Sequence, residues 1–123
     1  MSKKKILLVD DSVTTLMMEQ MVLRGQPYNV VTAKNGEEAV RMSEAELPDL
    51  ILLDVMMPVM NGFEACRRIR QNLATLQIPI IMVTTRGEEN SVETGFESGC
   101  NDYITKPING TELLTKVRAL LGE

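Results

Sequence analysis

The chain contains no histidine and no tryptophan, and only 3% of its 123 residues are aromatic. Without histidine, a Ser-His-Asp triad, an imidazole zinc site and an internal histidine phosphorelay are all excluded. The scarcity of aromatic side chains argues against a surface on which nucleic acid bases stack. A net charge of −4 argues further against binding to a phosphate backbone, so we expect no nucleic acid partner.

The sequence also has few cysteines and no long apolar segment. Cys66 and Cys100 are too few for a disulfide framework, and we expect both to be buried and unreactive. No apolar run approaches the roughly 18 residues of a membrane-spanning helix. The basic start, Lys3-Lys4-Lys5, precedes only four apolar residues, which is too short a run for a signal peptide. We therefore expect a cytoplasmic chain that does not associate with membranes.

Short apolar runs alternate with longer segments that carry helix signals. The apolar runs occupy residues 6–9, 29–33, 50–53, 80–83 and 103–105. Such unbroken runs are typical of strands that are covered on both faces in a parallel sheet. Capping residues and periodicity predict helices over residues 12–24, 36–46, 61–72, 88–98 and 109–121. Five βα units over residues 1–123 predict a single domain with a doubly wound α/β fold.

Polar residues follow four of the five predicted strands. Asp10 and Asp11 follow the first strand, Asp54 the third, Thr84 the fourth and Lys106 the fifth. Ligands of open α/β sheets bind beyond the carboxyl ends of the strands. Because these ends lie at one edge of a parallel sheet, we expect the five side chains to form one site.

The composition of this site indicates phosphoryl chemistry. Three carboxylates about 4 Å apart would repel one another by about 4 kcal/mol per pair, so either a proton or a cation must be bound. Hard oxygen ligands favour Mg²⁺ or a similar ion. A divalent cation, a lysine and a hydroxyl around a carboxylate suit a phosphoryl group. Asp54 is then the candidate nucleophile, which would form an aspartyl phosphate.

Four motifs make the chain resemble the receiver domain of two-component response regulators. They are residues 9–12 (VDDS), 54–62 (DVMMPVMNG), 84–85 (TT) and 99–107 (GCNDYITKP). The resemblance extends over residues 4–121 and is to single-domain regulators of the chemotaxis type. It implies a flavodoxin-like fold with a five-stranded parallel sheet in the order 2-1-3-4-5 and five helices. It also implies a phospho-accepting signalling switch that catalyses only its own phosphorylation and dephosphorylation, and is otherwise not an enzyme.

The same resemblance implies which residues hold the phosphoryl group and the metal. Asp54 is similar to the family's phosphoacceptor. Asp11 corresponds to a direct Mg²⁺ ligand, and Asp10 to one that acts through water. The backbone carbonyl of Met56 corresponds to a further ligand.

Four further residues resemble the family's switch. Thr84 and Lys106 correspond to the pair that senses the phosphoryl group. Tyr103 corresponds to the aromatic residue that turns inward when Thr84 moves. Lys106-Pro107 resembles the family's cis peptide. The surface formed by the fourth helix, the fifth strand and the fifth helix would then change and be recognised by a downstream protein, which the sequence does not identify.

The resemblance also implies a partner that supplies the phosphoryl group. A sensor histidine kinase or a phosphotransfer protein is expected to dock on the outer side of the first helix. Apolar residues, including Leu16 and Met17, surround nearly the whole of this helix. They form either an apolar docking patch or a packing surface against the last helix, and both interpretations stay open. We expect a monomer or a weak dimer, and either a stand-alone regulator or a domain of a longer protein.

Some residues depart from the family's pattern. Thr85 stands where relatives usually have a smaller residue, and Met56 and Arg86 occupy variable positions that flank the site. We expect Met56 and Arg86 to alter the rate of autodephosphorylation.

Three other functions fit the sequence less well. An aspartate-nucleophile phosphatase of the haloacid dehalogenase type would have an aspartate at the position of Ser12. A flavodoxin-like cofactor binder would have a phosphate-cradling loop where Asp10 and Asp11 stand. A receiver-like binding module that works without phosphorylation would have no need for the intact set of acidic residues, Thr84 and Lys106.

Overall fold

The computed structural model describes residues 3–85 and 89–123, in which five parallel strands alternate with five helices. The strands are β1 (Lys4–Val9), β2 (Tyr28–Ala33), β3 (Leu50–Asp54), β4 (Ile80–Thr85) and β5 (Asp102–Lys106). The helices are α1 (Val13–Leu23), α2 (Gly36–Glu46), α3 (Gly62–Gln71), α4 (Glu89–Ser98) and α5 (Gly110–Leu121). In these described segments, each helix is too short or too polar to cross a lipid bilayer.

The strands form one sheet in the order β2-β1-β3-β4-β5, which confirms the predicted order and fold class. The pairing register brings the carboxyl ends of neighbouring strands level with one another. Val9 pairs with Ala33 on one side and with Leu53 on the other, and Thr85 pairs with Lys106. Residues that end β1, β3, β4 and β5 therefore lie along the same edge of the sheet.

The sheet separates two apolar clusters, because successive side chains of a strand point to opposite faces. Leu7, Ile51 and Met82 belong to the first cluster, which includes residues of α2 and α3. Leu8, Leu52 and Val83 belong to the second cluster, which includes residues of α1 and α5. Covering both faces explains why the strands appear in the sequence as unbroken apolar runs.

Side-chain caps set the beginnings of four helices, as the sequence predicts. Ser12, Asn35, Asn61 and Asn109 each accept a hydrogen bond from the backbone N–H three residues later, over 2.8 to 3.2 Å. The predicted start of the fourth helix at residue 88 lies outside the described residues.

At their carboxyl ends, β3, β4 and β5 extend beyond the predicted apolar runs and include residues of the site. Asp54 ends β3, Thr84 lies within β4, and Lys106 ends β5. The prediction placed these residues just after the strands because it followed apolar character, whereas the backbone pairing continues through the polar residues. Their backbones are thus fixed by sheet hydrogen bonds.

Gly62 holds the start of α3 against the end of β3. Its N–H donates to the carbonyl of Val55 over 2.9 Å. A Cβ on Gly62 would clash with the backbone carbonyl oxygen of Asp54, which cannot move without disturbing the sheet. A larger residue at this position would therefore push α3 away from the strand that carries Asp54.

We predict that Gly62→Ala lowers the free energy of unfolding by about 3 kcal/mol, because a methyl group is forced into backbone atoms. Urea denaturation provides the measurement. Gly122→Ala is the matched control: Gly122 has φ of 75° but open space around its Cβ position, so only backbone strain of about 1 kcal/mol is expected. Equal losses in the two variants would contradict the close approach described for Gly62.

Candidate functional site

Three acidic residues converge at the carboxyl edge of the sheet. Asp10, Asp11 and Asp54 each offer one carboxylate oxygen, and these oxygens all lie within 4.8 Å of one another. Asp10 and Asp54 are buried, whereas Asp11 is exposed. One oxygen of Asp10, Oδ1, accepts a hydrogen bond of 2.9 Å from the Ser12 N–H, which orients the carboxylate at the start of α1.

Lys106 brings a positive charge to the two buried acids. Its Nζ lies 3.3 Å from Oδ2 of Asp10 and 3.4 Å from Oδ1 of Asp54. The peptide between Lys106 and Pro107 is cis, as the resemblance implies. One ammonium group therefore faces carboxylates from two neighbouring strands, and it offsets only part of their combined charge.

Burial and the neighbouring charges shift the pKa values of Asp54 and Lys106. Burial raises the pKa of Asp54 to about 6, and the nearby charge of Asp10 adds to the rise although Lys106 opposes it. Burial alone would lower the pKa of Lys106, but the carboxylates of Asp54 and Asp10 together raise it above its usual value. At neutral pH, Asp54 is therefore mainly ionised and Lys106 is charged.

The donor set fits a hard divalent cation. The clustered carboxylates supply oxygen ligands of the kind that Mg²⁺ prefers. Apart from the Lys106 ammonium at 3.3 Å, no donor among the described residues reaches Oδ2 of Asp10, so this oxygen still has capacity to accept from a metal-bound water. The negative charge that Lys106 leaves uncompensated also favours a dication here.

Thr84 is buried at the end of β4, where its hydroxyl donates a hydrogen bond of 3.4 Å to the carbonyl of Ile104. This bond is long for a hydroxyl donor, so little stability is lost when the hydroxyl turns to another acceptor. Thr85, the next residue, is exposed. The side chain of Met56 is also exposed, whereas Arg86 lies outside the described residues.

Tyr103 is half-buried on β5, away from the acidic cluster. Its ring meets the ring of Phe96 edge to face, with centroids 6.0 Å apart, and the ammonium of Lys116 lies 4.9 Å from the ring centroid. The tyrosine therefore lies between α4 and α5. The structure brings Asp10, Asp11, Asp54 and Lys106 into one site and leaves Tyr103 at the neighbouring surface.

Glu19 is a buried acid next to this site that the sequence reasoning missed. It lies on α1, has no exposed surface, and neither carboxylate oxygen has a hydrogen-bond partner within the described part of the chain. Burial, followed by the charges of Asp10 and Asp54, raises its pKa to about 8, against the opposing effect of Lys106. Glu19 is therefore mainly protonated at neutral pH.

The spacing along α1 identifies Glu19 only once the buried face of the helix is known. Leu16 and Leu23 are the buried apolar residues of the helix, and Glu19 lies between them at three- and four-residue spacing. Residues at such spacing share one helix face. Glu19 is therefore buried on the same helix face as Leu16 and Leu23, near the acids at the strand ends.

We predict that Glu19→Gln stabilises the fold more at pH 8 than at pH 5. The folded state keeps a proton on Glu19 up to about pH 8, whereas the unfolded chain releases it near pH 4.5. Wild-type stability therefore falls as pH rises through this window, by at most about 5 kcal/mol, and glutamine removes the loss. Urea denaturation at both pH values measures the difference.

Glu97→Gln is the control, because Glu97 is an exposed acid on α4. Its effect should be small and similar at both pH values. A stability difference between Glu19→Gln and wild type that fails to grow from pH 5 to pH 8 would show that Glu19 is not held protonated.

Comparison with known proteins agrees with this geometry. A family model described as the response regulator receiver domain matches residues 6–118. The chain is 44% identical over 118 residues to the alkaline phosphatase synthesis transcriptional regulatory protein PhoP of Bacillus subtilis, covering 96% of this chain and 48% of PhoP. The chain thus spans about half the length of such curated relatives.

Solved structures show the same fold. A chain from Chloroflexus aurantiacus described as a response regulator superimposes with a TM-score of 0.94 at 39% identity, covering 98% of this chain and 99% of that one. The receiver domain of a sensor histidine kinase from Pseudomonas aeruginosa, which has a magnesium ion in its active site cleft, gives a TM-score of 0.91 at 32% identity, with coverage of 98% and 99%. The acidic residues at the sheet edge and the strand order agree with these matches. The chain therefore belongs to the response regulator receiver domain family of two-component signalling.

Proposed function

We propose that this domain is a phospho-accepting switch in which Asp54 takes a phosphoryl group from a histidine kinase or a phosphotransfer protein. The observation that carries the proposal is the position of Asp54: a buried carboxylate at the end of β3, 3.4 Å from the Lys106 ammonium and clustered with two further acids. Family membership supports the same chemistry.

The transfer step uses Asp54 as the nucleophile. A carboxylate oxygen of Asp54 attacks the phosphorus of a phosphohistidine on the partner. The bond between phosphorus and the imidazole nitrogen breaks, and the imidazole leaves with a proton from water. Because the pKa of Asp54 is about 6, most molecules carry the ionised, nucleophilic form at neutral pH.

The proposed metal ligands are Asp10, Asp11, Asp54 and the backbone carbonyl of Met56. Mg²⁺ held there would neutralise negative charge on the transferring phosphoryl group. One relative of known structure has magnesium in its active site cleft, which supports this assignment. Lys106 supplies the fixed positive charge on the other side of Asp54.

The proposed response begins with the new charge. A phosphoryl group adds roughly −1.5 to −2 charges at the end of β3. Lys106 and the Thr84 hydroxyl are the nearby donors, and the hydroxyl leaves only a long hydrogen bond to Ile104. Tyr103 then repacks into the space next to Thr84, and the α4–β5–α5 surface changes for a downstream protein.

The proposed docking surface for the kinase or phosphotransfer protein is the outer side of α1, called here the α1 face. Its residues are Val13, Met17, Met18 and Met21, each with between 41% and 63% of its surface exposed. Leu16, in contrast, is buried in the cluster that includes α5 residues. The exposure of Met17 supports docking for this part of the helix, whereas Leu16 contributes to packing. Flexible methionines suit an apolar partner surface.

Two alternatives receive less support. The position that would need an aspartate in a haloacid dehalogenase-type phosphatase is Ser12, which caps α1 through a hydrogen bond from the Thr15 N–H. A binding module that works without phosphorylation would have no need for Lys106 to face two buried acids.

We also propose that residues 1–123 form one receiver domain, that it works in the cytoplasm, and that it is monomeric or weakly dimeric; these points rest on family membership.

We predict that Asp54→Asn abolishes phosphorylation, because an amide nitrogen and oxygen lack the nucleophilic charge of the carboxylate. Wild-type protein incubated with acetyl phosphate and Mg²⁺ should gain one phosphoryl group that hydroxylamine removes, as detected by intact mass spectrometry. Removing Mg²⁺ with a chelator should suppress the gain in wild type.

Glu97→Gln is again a suitable control, since it removes an exposed acid on α4. This variant should be phosphorylated at the wild-type rate. Undiminished labelling of Asp54→Asn would exclude Asp54 as the phosphoacceptor, and undiminished labelling without Mg²⁺ would exclude the metal site.

We predict that Met17→Glu slows phosphorylation by a histidine kinase about tenfold or more, but leaves phosphorylation by acetyl phosphate unchanged. A charge placed in a desolvated apolar contact weakens docking, whereas the small donor makes no such contact. The measurement compares initial rates with both donors, using a kinase that phosphorylates the wild-type domain. Leu73→Glu, at an exposed apolar residue remote from α1, is the control. Equal effects of the two variants on kinase-dependent transfer would contradict docking on the α1 face.

A further inference from the structure

Lys116 on α5 makes three contacts with the first two residues of β5. Its ammonium donates to the backbone carbonyl of Tyr103, lies 3.3 Å from Oδ1 of Asp102, and sits 4.9 Å from the centroid of the Tyr103 ring. About 24% of the Lys116 side chain is exposed, which is low for a lysine. The ammonium is therefore held in one place by a carboxylate, a carbonyl and an aromatic face.

The ring of Tyr103 is held from two sides. On the α5 side it faces the Lys116 ammonium, at a distance at which cation–π attraction is significant. On the α4 side it meets Phe96 edge to face at an interplanar angle of 89°. The Phe96 side chain is substantially exposed and is free to move. The Lys116 ammonium, in contrast, is fixed by its contacts with the Tyr103 carbonyl and the Asp102 carboxylate.

We propose that Lys116 is a positioning residue of the switch: its ammonium holds the Tyr103 ring between α4 and α5, and the ring has to leave this cation when the site is phosphorylated. The proposal rests on the proposed function, because it takes Tyr103 to be the side chain that moves. It goes beyond that function by assigning to α5 a contact that favours the resting state.

The contact between Lys116 and Tyr103 is thermodynamically linked to phosphoryl binding, so its removal should change the apparent affinity of the phosphorylation site for a phosphoryl mimic. If Lys116 stabilises only the resting position of the ring, then removing its charge reduces the free energy needed to reach the activated state. Loss of a cation–π contact at a partly exposed site should therefore raise the apparent affinity for a phosphoryl mimic about two- to fivefold. Beryllofluoride with Mg²⁺ is a suitable mimic.

The chain offers a direct probe, since Tyr28 and Tyr103 are its only two tyrosines. Protein labelled with 3-fluorotyrosine gives one ¹⁹F resonance for each. Tyr28 is buried and its hydroxyl donates to Glu123 over 2.7 Å, remote from β5, so its resonance reports whether a variant is folded. The Tyr103 resonance reports the position of the ring, and bound beryllofluoride gives a ¹⁹F signal of its own.

Lys116→Met is the test variant, because methionine keeps the length and apolar stem of lysine and removes the charge. Its Tyr103 resonance without beryllofluoride should shift toward the position of the activated wild type, and its apparent affinity for beryllofluoride should rise about two- to fivefold. Lys116→Arg keeps a cation over the ring and should resemble wild type. Lys3→Met, at an exposed lysine before β1, controls for the change in net charge.

The outcomes separate this proposal from the function on which it rests. Beryllofluoride that fails to bind wild type overturns the proposed function. Binding that leaves the Tyr103 resonance in place overturns the switch role of Tyr103 and with it this proposal, but not phosphorylation of Asp54. If wild type responds and Lys116→Met behaves like Lys3→Met, or binds beryllofluoride more weakly, the role of Lys116 alone is wrong.

Discussion

The contact between the Lys106 ammonium and the carboxylates of Asp10 and Asp54 is the interaction on which the site depends. A single positive charge, 3.3 and 3.4 Å from two buried acids, makes their burial tolerable while leaving net negative charge at the edge of the sheet. Burial of ionised groups without such a partner would be strongly unfavourable. The apolar strands hold the opposed charges in place, since each group sits at or next to the end of a strand whose backbone is fixed by its neighbours.

Much of this arrangement could be predicted because it follows from local patterns. The apolar runs identified the five strands, asparagine and serine caps located four helix starts, and the polar residues at the strand ends identified Asp10, Asp11, Asp54 and Lys106 as neighbours. Strand ends were predicted less well, because hydrogen bonding between backbones continues through Asp54 and Lys106 whatever their polarity. The roles assigned to these residues follow from the family and stay predictions.

Glu19 and Lys116 could not be predicted in the same way, since their environments depend on distant parts of the chain. Apolar residues surround α1 so evenly that its inner side, which carries Leu16, Glu19 and Leu23, is not evident from composition. Lys116 meets Tyr103 only after α5 packs back against β5, across 13 residues of sequence. Both are charged residues whose surroundings are set by tertiary packing, whereas the strand-end acids are placed by secondary structure alone.

The division of the interior into two clusters has a consequence for how the protein can change. Side chains that support α1 and α5 lie on one side of the sheet, and those that support α2 and α3 lie on the other, so a substitution in one layer reaches the opposite layer only through the strand backbones. Energetic effects of changes in separate layers should simply add. Substitutions that alter the surface near α1 and substitutions that alter the surface near α3 should thus act separately, with the strand backbones as the structure that both layers share.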